Sequence, residues 1–319
     1  MTDLPRTVEI REEGPREGFQ IEPGPIPTER KIALIDALSD TGLHHIQVCS
    51  FVSPKIVPGW ADAEQVVAGF TPKHGVTYTA LWFNAAGMHR ALAFRDRLKV
   101  DTAVTVVASE AFSLKNLNRD RAKNIEAQHT NVAAHLAAGV PVNRISVQAA
   151  FGCNYSGDVA PETVVAVLED AFAIGAAHGL TLPEATIADT MGWATPARIE
   201  RVVGAVRSRW PELSIILHLH DTRGLGIANA HAALRLGVRR FDSTVGGLGG
   251  CPFAGQPGAP GNIASEELVL LCHELGIETG VDLERLVDAG RLAEEVVGRR
   301  LPSTMLRSGS LARFRRLAA

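Results

Sequence analysis

The chain has 319 residues, with 32 Lys and Arg against 35 Asp and Glu, for a formal net charge of −3. That balance gives no electrostatic footprint for nucleic acid. At 46% hydrophobic and 21% charged it reads as an ordinary globular protein, long enough for one large α/β barrel or two smaller domains.

Apolar, β-branched runs alternate with helical segments along the whole chain. Strands are expected at 8–10, 45–50, 78–83, 102–108, 144–149, 185–189, 214–218 and 240–245. Most are almost continuously apolar, as befits strands buried on both faces. Thr28 is expected to cap the helix carrying Ile32, Leu34, Ile35 and Leu38, which ends at Gly42. Ser113 precedes a long helix that stops at Gly139-Val140-Pro141. Pro161 opens another, stopped by Gly179, and Thr195-Pro196 pairs an N-cap with proline at the first helical position. Gly237 ends the helix that follows the seventh strand. Eightfold strand–helix alternation predicts an α/β fold of the (β/α)8 TIM-barrel type, with an additional C-terminal helix and tail. A doubly wound sheet would want a dinucleotide-binding turn after its first strand, and GPREG is not one. The expected organisation is one barrel domain over 1–297 and an arginine-rich tail over 298–319.

The four cysteines, Cys49, Cys153, Cys251 and Cys272, are widely spaced and form no C-x-x-C pair. This fits a reducing compartment. The N-terminus MTDLPRTVEI lacks the features of a signal peptide, and no apolar run reaches the ~20 residues that span a bilayer. A cytoplasmic protein without nucleic-acid or membrane partners is expected.

In a barrel, chemistry sits at the C-terminal ends of the strands. The seventh strand runs into His218-Leu219-His220-Asp221-Thr222-Arg223-Gly224. Alternation puts His218 and His220 on one face. They could grip one metal ion, or simply be two hydrogen-bonded histidines. The first strand leads to Glu12, Arg16, Glu17 and Gln20, and the eighth to a glycine-dense loop, Cys251 and Asn262. Glu17, His218, His220 and Asn262 make a mixed N/O ligand set suited to Mg²⁺ or Mn²⁺. Such a cation would polarise a substrate hydroxyl and a neighbouring carbonyl. Asn262 could instead cap the helix that starts near Ala264.

Arg16 could stabilise an enolate oxygen during carbon–carbon cleavage, or form a structural salt bridge to Glu12. Asp189 is a candidate base at the sixth strand end, though many such aspartates only cap a loop. Cys251 follows Gly246-Gly247-Leu248-Gly249-Gly250, a mobile-loop composition, which makes it a candidate acid/base group. Cys153 could be buried or reactive, while Cys272, in LVLLCHELG, reads as core.

The stretches GPREGFQ, SFVSPKIVPGWAD, ASEAFSLKNLN, ADTMGWATP, HLHDTRGLGIAN and GGLGGCPFA…GN together resemble the 3-hydroxy-3-methylglutaryl-CoA lyase family, in order and at matching intervals. The resemblance runs from about Val8 to Gly290. It implies a (β/α)8 barrel, a divalent cation, and retro-Claisen cleavage of a tertiary 3-hydroxyacyl-CoA to an acyl-CoA and a keto acid. The leading substrate is 3-hydroxy-3-methylglutaryl-CoA, giving acetyl-CoA and acetoacetate, a step of leucine degradation. The resemblance further implies enolate stabilisation by Arg16 and metal binding by Glu17, His218, His220 and Asn262. Asp189 and Cys251 take acid/base roles, with support from Glu12 and Glu266. Lys115 and Asn116 fall where the family contacts CoA, and Arg144 matches another arginine of the family's site. A homodimer is also implied.

The chain departs from the family at several positions. Glu17 stands where the family has Asp, and Gln47 where it has Glu. Arg223 replaces an aromatic residue, Asn154 replaces proline, and the loop from Cys251 to Asn262 is longer and proline-rich. These changes, with Gln20 nearby, suggest a changed substrate more than a changed reaction. The tail carries Arg299, Arg300, Arg307, Arg313, Arg315 and Arg316 without an acidic residue. It reads as solvated or as an oligomer contact, and more remotely as a clamp on CoA phosphates. Two rivals stand beside the leading reading: a lyase of the same mechanism acting on another 3-hydroxyacyl-CoA, and a barrel that binds a CoA ester or keto acid without cleaving it.

Overall fold

Eight strands recur in chain order: β1 (Glu9–Glu12), β2 (His45–Ser50), β3 (Thr77–Leu81), β4 (Thr102–Val107), β5 (Val142–Gln148), β6 (Glu184–Ala188), β7 (Ser214–His218) and β8 (Arg240–Ser243). They come from a computed structural model, which describes residues 4–250 and 260–317. Helices fill the connections between consecutive strands. Each expected strand is present, with ends shifted by a few residues, because apolar periodicity marks a strand's centre better than its ends.

The chain forms two compact units. In the first, described over 4–5 and 100–241, β4 to β7 lie parallel in the order β7-β6-β5-β4. Val104 pairs with Ile145, Ile145 with Ala185, and Ala185 with Ile215. These four residues are buried, so the register follows the apolar pattern. In the second unit, described over 6–99, 242–250 and 260–317, β1, β2 and β3 are parallel in the order β3-β2-β1. Every residue of β2 is buried, the apolar Ile46, Val48 and Cys49 together with the polar His45, Gln47 and Ser50. The chain passes between the units within β8, after Phe241.

The helix ends follow local chemistry, with two corrections. Thr195 accepts from the Arg198 N–H at 3.3 Å, and Pro196 opens the helix Pro196–Arg209. Gly139, Gly179 and Gly237 follow their helices with positive φ. Thr28, however, begins the helix Thr28–Ser39 and donates its hydroxyl to Asp62 at 2.7 Å, so it is not the cap. Ser113 lies inside the helix Glu110–Leu117, which Ser109 caps, and Asp120 caps the long helix Arg121–Ala137. At the second and third of these helices a nearer polar residue takes free N–H groups of the first turn, whereas Pro27 stands at the N-cap of the first and makes no side-chain capping bond.

The tail packs on the second unit. Leu301, Met305 and Leu306 are buried. Arg307 pairs with Glu294 at 3.3 Å and Arg315 with Glu274 at 2.8 Å, while Arg299 pairs with Glu22. Among the described residues, no helix is long and apolar enough to cross a membrane.

Candidate active site

The second unit gathers its chemistry on the short helix Gly14–Ile21, which follows β1 directly. Arg16 is the hub. Its guanidinium bonds Glu13 at 2.7 Å and Glu17 at 2.7 Å, and its Nε donates to Gln47. Burial disfavours the Arg16 charge, but Glu17 and Glu13 outweigh it, so its pKa lies above the ordinary value. The guanidinium is therefore a fixed cation.

Glu12 is not its partner. Glu12 is fully buried and accepts from the Gly14 N–H at 2.6 Å, the Val245 N–H at 2.8 Å and the Ser265 hydroxyl at 2.6 Å. Burial pushes its carboxyl up to about 7. The salt bridge expected between Glu12 and Arg16 is made by Glu13, three residues before Arg16. Glu12 and Glu13 stand four and three residues before Arg16, both at helical pairing distance, so spacing alone does not choose between them.

Asn262 is not a helix cap either. The following helix, Ser265–Glu274, has Ala264 at its N-cap. Asn262 donates its side-chain amide to Glu17 and, at 3.2 Å, to the Leu248 carbonyl. The loop backbone comes close to both groups. A Cβ on Gly249 would stand 2.7 Å from the Glu17 Cβ and 3.1 Å from the Asn262 amide nitrogen. Only glycine, here at φ +80, lets the chain pass over this carboxylate–amide pair. Below it, Glu266, also fully buried, accepts from the Gly246 N–H at 2.9 Å.

The first unit carries the imidazoles and the second acid. His218 ends β7, and His220 lies two residues on with its ring centre 5.2 Å from that of His218, edge to face. His220 is 4% exposed. Asp189 follows β6, and its backbone N–H donates to the His218 carbonyl at 2.8 Å. One of its carboxylate oxygens accepts from the N–H groups of Trp193 (2.7 Å) and Ala194 (3.0 Å). The other is buried without a hydrogen-bond partner. Burial raises the Asp189 pKa to about 7, although Trp193, Ala194, His218 and Arg223 oppose the rise. A carboxylate with one oxygen anchored and one unclaimed can take a proton.

Arg223 straps this loop. It donates to the carbonyls of Met191 (3.1 Å) and Gly192 (2.8 Å) and lies 5.9 Å from the Trp193 ring centre. The Trp193 indole in turn donates to Asn154 at 2.7 Å. Two departures from the family pattern, Arg223 and Asn154, thus meet on one tryptophan. The loop before them is set by Ala149, which has a left-handed φ of 53 and donates its N–H to the Thr190 hydroxyl at 2.8 Å. No motif around Ala149 or Thr190 signals that bond.

The other expected site residues are dispersed. Lys115 and Asn116 are exposed on the helix Glu110–Leu117 after β4. Gln20 has a buried side-chain oxygen without a hydrogen-bond partner. Arg144 is the third residue of β5, at the N-terminal end of that strand, and pairs with Asp101. It is not among the strand-end groups of its unit. Cys251 lies outside the described residues. Cys49, Cys153 and Cys272 are free and buried, and burial lifts the Cys272 thiol to about 12.

Within the first unit the paired imidazoles of His218 and His220, and within the second the carboxylate–amide pair of Glu17 and Asn262, are donor types that suit a hard or borderline cation. Comparison with known proteins gives the family. The HMGL-like family model matches residues 7–293. The 3-hydroxy-3-isohexenylglutaryl-CoA/hydroxy-methylglutaryl-CoA lyase of Pseudomonas aeruginosa is 41% identical over 297 residues, covering 93% of this chain and 95% of that protein. The crystal structure of the Bacillus subtilis HMG-CoA lyase superposes with a TM-score of 0.86 at 39% identity, covering 96% of this chain and 98% of that one. An Acinetobacter baumannii HMG-CoA lyase, solved in complex with coenzyme A and 3-methylmalate, gives a TM-score of 0.83 at 37% identity, with 97% of each chain covered. The eight strand–helix repeats are those of a (β/α)8 TIM barrel, and the chain belongs to the HMGL-like family.

Proposed function

We propose that this protein is a divalent-metal-dependent carbon–carbon lyase that cleaves 3-hydroxy-3-methylglutaryl-CoA to acetyl-CoA and acetoacetate. The observation that carries the reading is Arg16, a partly buried cation held by Glu13, Glu17 and Gln47 on the helix that follows β1. Relatives about 40% identical over nearly the whole chain are named for this reaction.

Glu17, His218, His220 and Asn262 would hold Mg²⁺ or Mn²⁺, which when bound polarises the substrate's hydroxyl and carbonyl oxygens. Asp189 takes the proton of the C3 hydroxyl on its unclaimed oxygen, while the N–H groups of Trp193 and Ala194 fix the other. The C2–C3 bond breaks, C3 becomes the ketone of acetoacetate, and the electron pair passes to the thioester enolate. Arg16 stabilises the enolate oxygen as charge develops there. Cys251 delivers the proton that completes acetyl-CoA. Glu12 holds the base of the glycine-dense loop through Val245. Gln20, Gln47 and Arg223 contact the acyl portion, Lys115 and Asn116 serve the CoA portion, and the protein works as a cytoplasmic homodimer.

A second reading keeps the mechanism and changes the acyl group. Its support is the Pseudomonas relative, whose name includes a larger 3-hydroxyacyl-CoA, and the Arg223–Trp193–Asn154 cluster. Purified protein incubated with 3-hydroxy-3-methylglutaryl-CoA and Mg²⁺ or Mn²⁺, against a chelator control, decides between them by mass spectrometry. Metal-dependent release of acetyl-CoA establishes the first reading. Turnover of only a larger ester establishes the second. Turnover of neither leaves a non-catalytic barrel.

A further inference from the structure

The segment Pro58-Gly59-Trp60 has no part in the reaction just derived, yet it is locked against the helix that carries Arg16. We infer that Trp60 is a positioning residue for Arg16, clamped from behind by the buried Lys31; this rests on the lyase reading for its kinetic consequence, but not for its geometry.

The helix Gly14–Ile21 has eight residues, and its N-cap, Glu13, makes no side-chain capping bond. A helix so short does not hold its own register. Tertiary contacts must set the direction in which Arg16 leaves the backbone. The Trp60 indole N–H donates to the Arg16 carbonyl at 3.0 Å. Its ring centre lies 5.9 Å from that of Phe19 on the same helix. Gly59 brings the turn so close that a Cβ there would stand 2.3 Å from the Phe19 carbonyl oxygen.

The turn itself is pinned by a lysine. Lys31, from the helix Thr28–Ser39, is 2% exposed. Its ammonium donates to the Gly59 carbonyl at 2.6 Å and to Asp62 at 2.6 Å, and lies 4.7 Å from the Trp60 ring centre. Thr28 donates to the other Asp62 oxygen at 2.7 Å. Burying a lysine costs several kcal/mol unless it is fully paired. Here the pairing fixes a turn that contributes no group to the chemistry. The path is continuous, from Lys31 to Gly59 and Trp60, then to the Arg16 backbone, and from there to the guanidinium between Glu13, Glu17 and Gln47.

The test uses Trp60→Phe, which keeps a ring and removes the donor, with Trp60→Met as a second donor-free variant should the first fold poorly. Trp60→Phe is expected to lower kcat about tenfold and leave the KM for the CoA ester within about twofold, because the lost orientation matters most in the transition state. In an Arg16→Ala background the same change is expected to lower kcat no further. Equal losses in both backgrounds would overturn the inference, since a purely structural effect multiplies through. A second arm needs no turnover. The Arg16 Nε–H resonance, assigned by its absence in Arg16→Ala, is expected to shift and exchange faster with solvent in Trp60→Phe. An unchanged resonance overturns the inference even if activity falls. If the wild-type protein cleaves no ester, the lyase reading fails, and this resonance alone decides the role of Trp60.

Discussion

Asn262 donates its side-chain amide to the carboxylate of Glu17, across nearly the full length of the chain. The same amide donates to the Leu248 carbonyl at 3.2 Å, so one residue ties the helix after β1 to the glycine-dense loop after β8. Glu17 is also held by Arg16 at 2.7 Å, which leaves little freedom for its longer side chain. The extra methylene, relative to the aspartate of the family pattern, is accommodated within a fixed hydrogen-bonded frame.

Asn262→Ala is expected to weaken Mn²⁺ binding about 10- to 100-fold, the range typical of losing an amide that both ligates and orients a neighbour. Glu17→Ala should weaken it at least as much. Isothermal titration of the purified variants measures both, and wild-type affinity in both would remove these residues from the metal site.

Gly249→Ala is expected to destabilise the protein more than Gly24→Ala. Both glycines have positive φ, +80 and +93, so both substitutions carry the left-handed backbone cost of about 1–2 kcal/mol. Only at Gly249 would the new Cβ meet the Glu17 Cβ, at 2.7 Å, whereas nothing lies within 4 Å at Gly24. Chemical denaturation of the two variants isolates the steric part, and equal losses would mean that the loop can move away.

Asp189 should set the acid limb of the pH–rate profile. Its pKa is raised to about 7 by burial, and only the deprotonated form accepts the hydroxyl proton. Turnover is expected to rise with pH through about 7 and then level off. Asp189→Asn should lower kcat about 10²- to 10⁴-fold, the usual contribution of a general base. A limb that persists unchanged in a residually active variant belongs to another group.

Glu12 makes a separate prediction about stability. Its folded pKa of about 7 lies above the ordinary 4.5, so the folded state holds a proton that the unfolded state has already released between those values. Stability from this group is therefore fully present below about 4.5 and is lost as pH rises towards 7, by up to about 3 kcal/mol. Glu12→Gln keeps an acceptor for Gly14 and Val245 and removes the titration. Urea denaturation should show the variant gaining on the wild type across that interval, and parallel curves would place the Glu12 pKa near its ordinary value.

Much of this was legible in the sequence. Apolar runs such as the IIL of SIILH specify strands buried on both faces, and Ile215, Ile216 and Leu217 of β7 are all buried. Thr195-Pro196 marks a helix start because its chemistry is confined to one turn. The spacing of the strand-end motifs identified the family that the whole-chain comparisons establish. These features depend on residues close together in the chain, where a pattern of period two or 3.6 suffices.

Partner choice was not legible, because it is settled by groups far apart in sequence. Glu12 and Glu13 are adjacent, and either could have met Arg16. The N–H of Val245 and the hydroxyl of Ser265 claimed Glu12, which left Glu13 for the arginine. Arg144, matched to a site arginine by its motif, pairs instead with Asp101 near the start of β5. Nothing in the sequence ties Lys31 or Trp60 to Arg16, yet Trp60 bonds the Arg16 backbone and Lys31 lies against the Trp60 ring. The sequence by itself determined the order of strands and helices and the kinds of chemical group at the strand ends. Only the tertiary structure decided which carboxylate neutralises which cation, because a buried charge bonds whatever the packing leaves within about 3 Å.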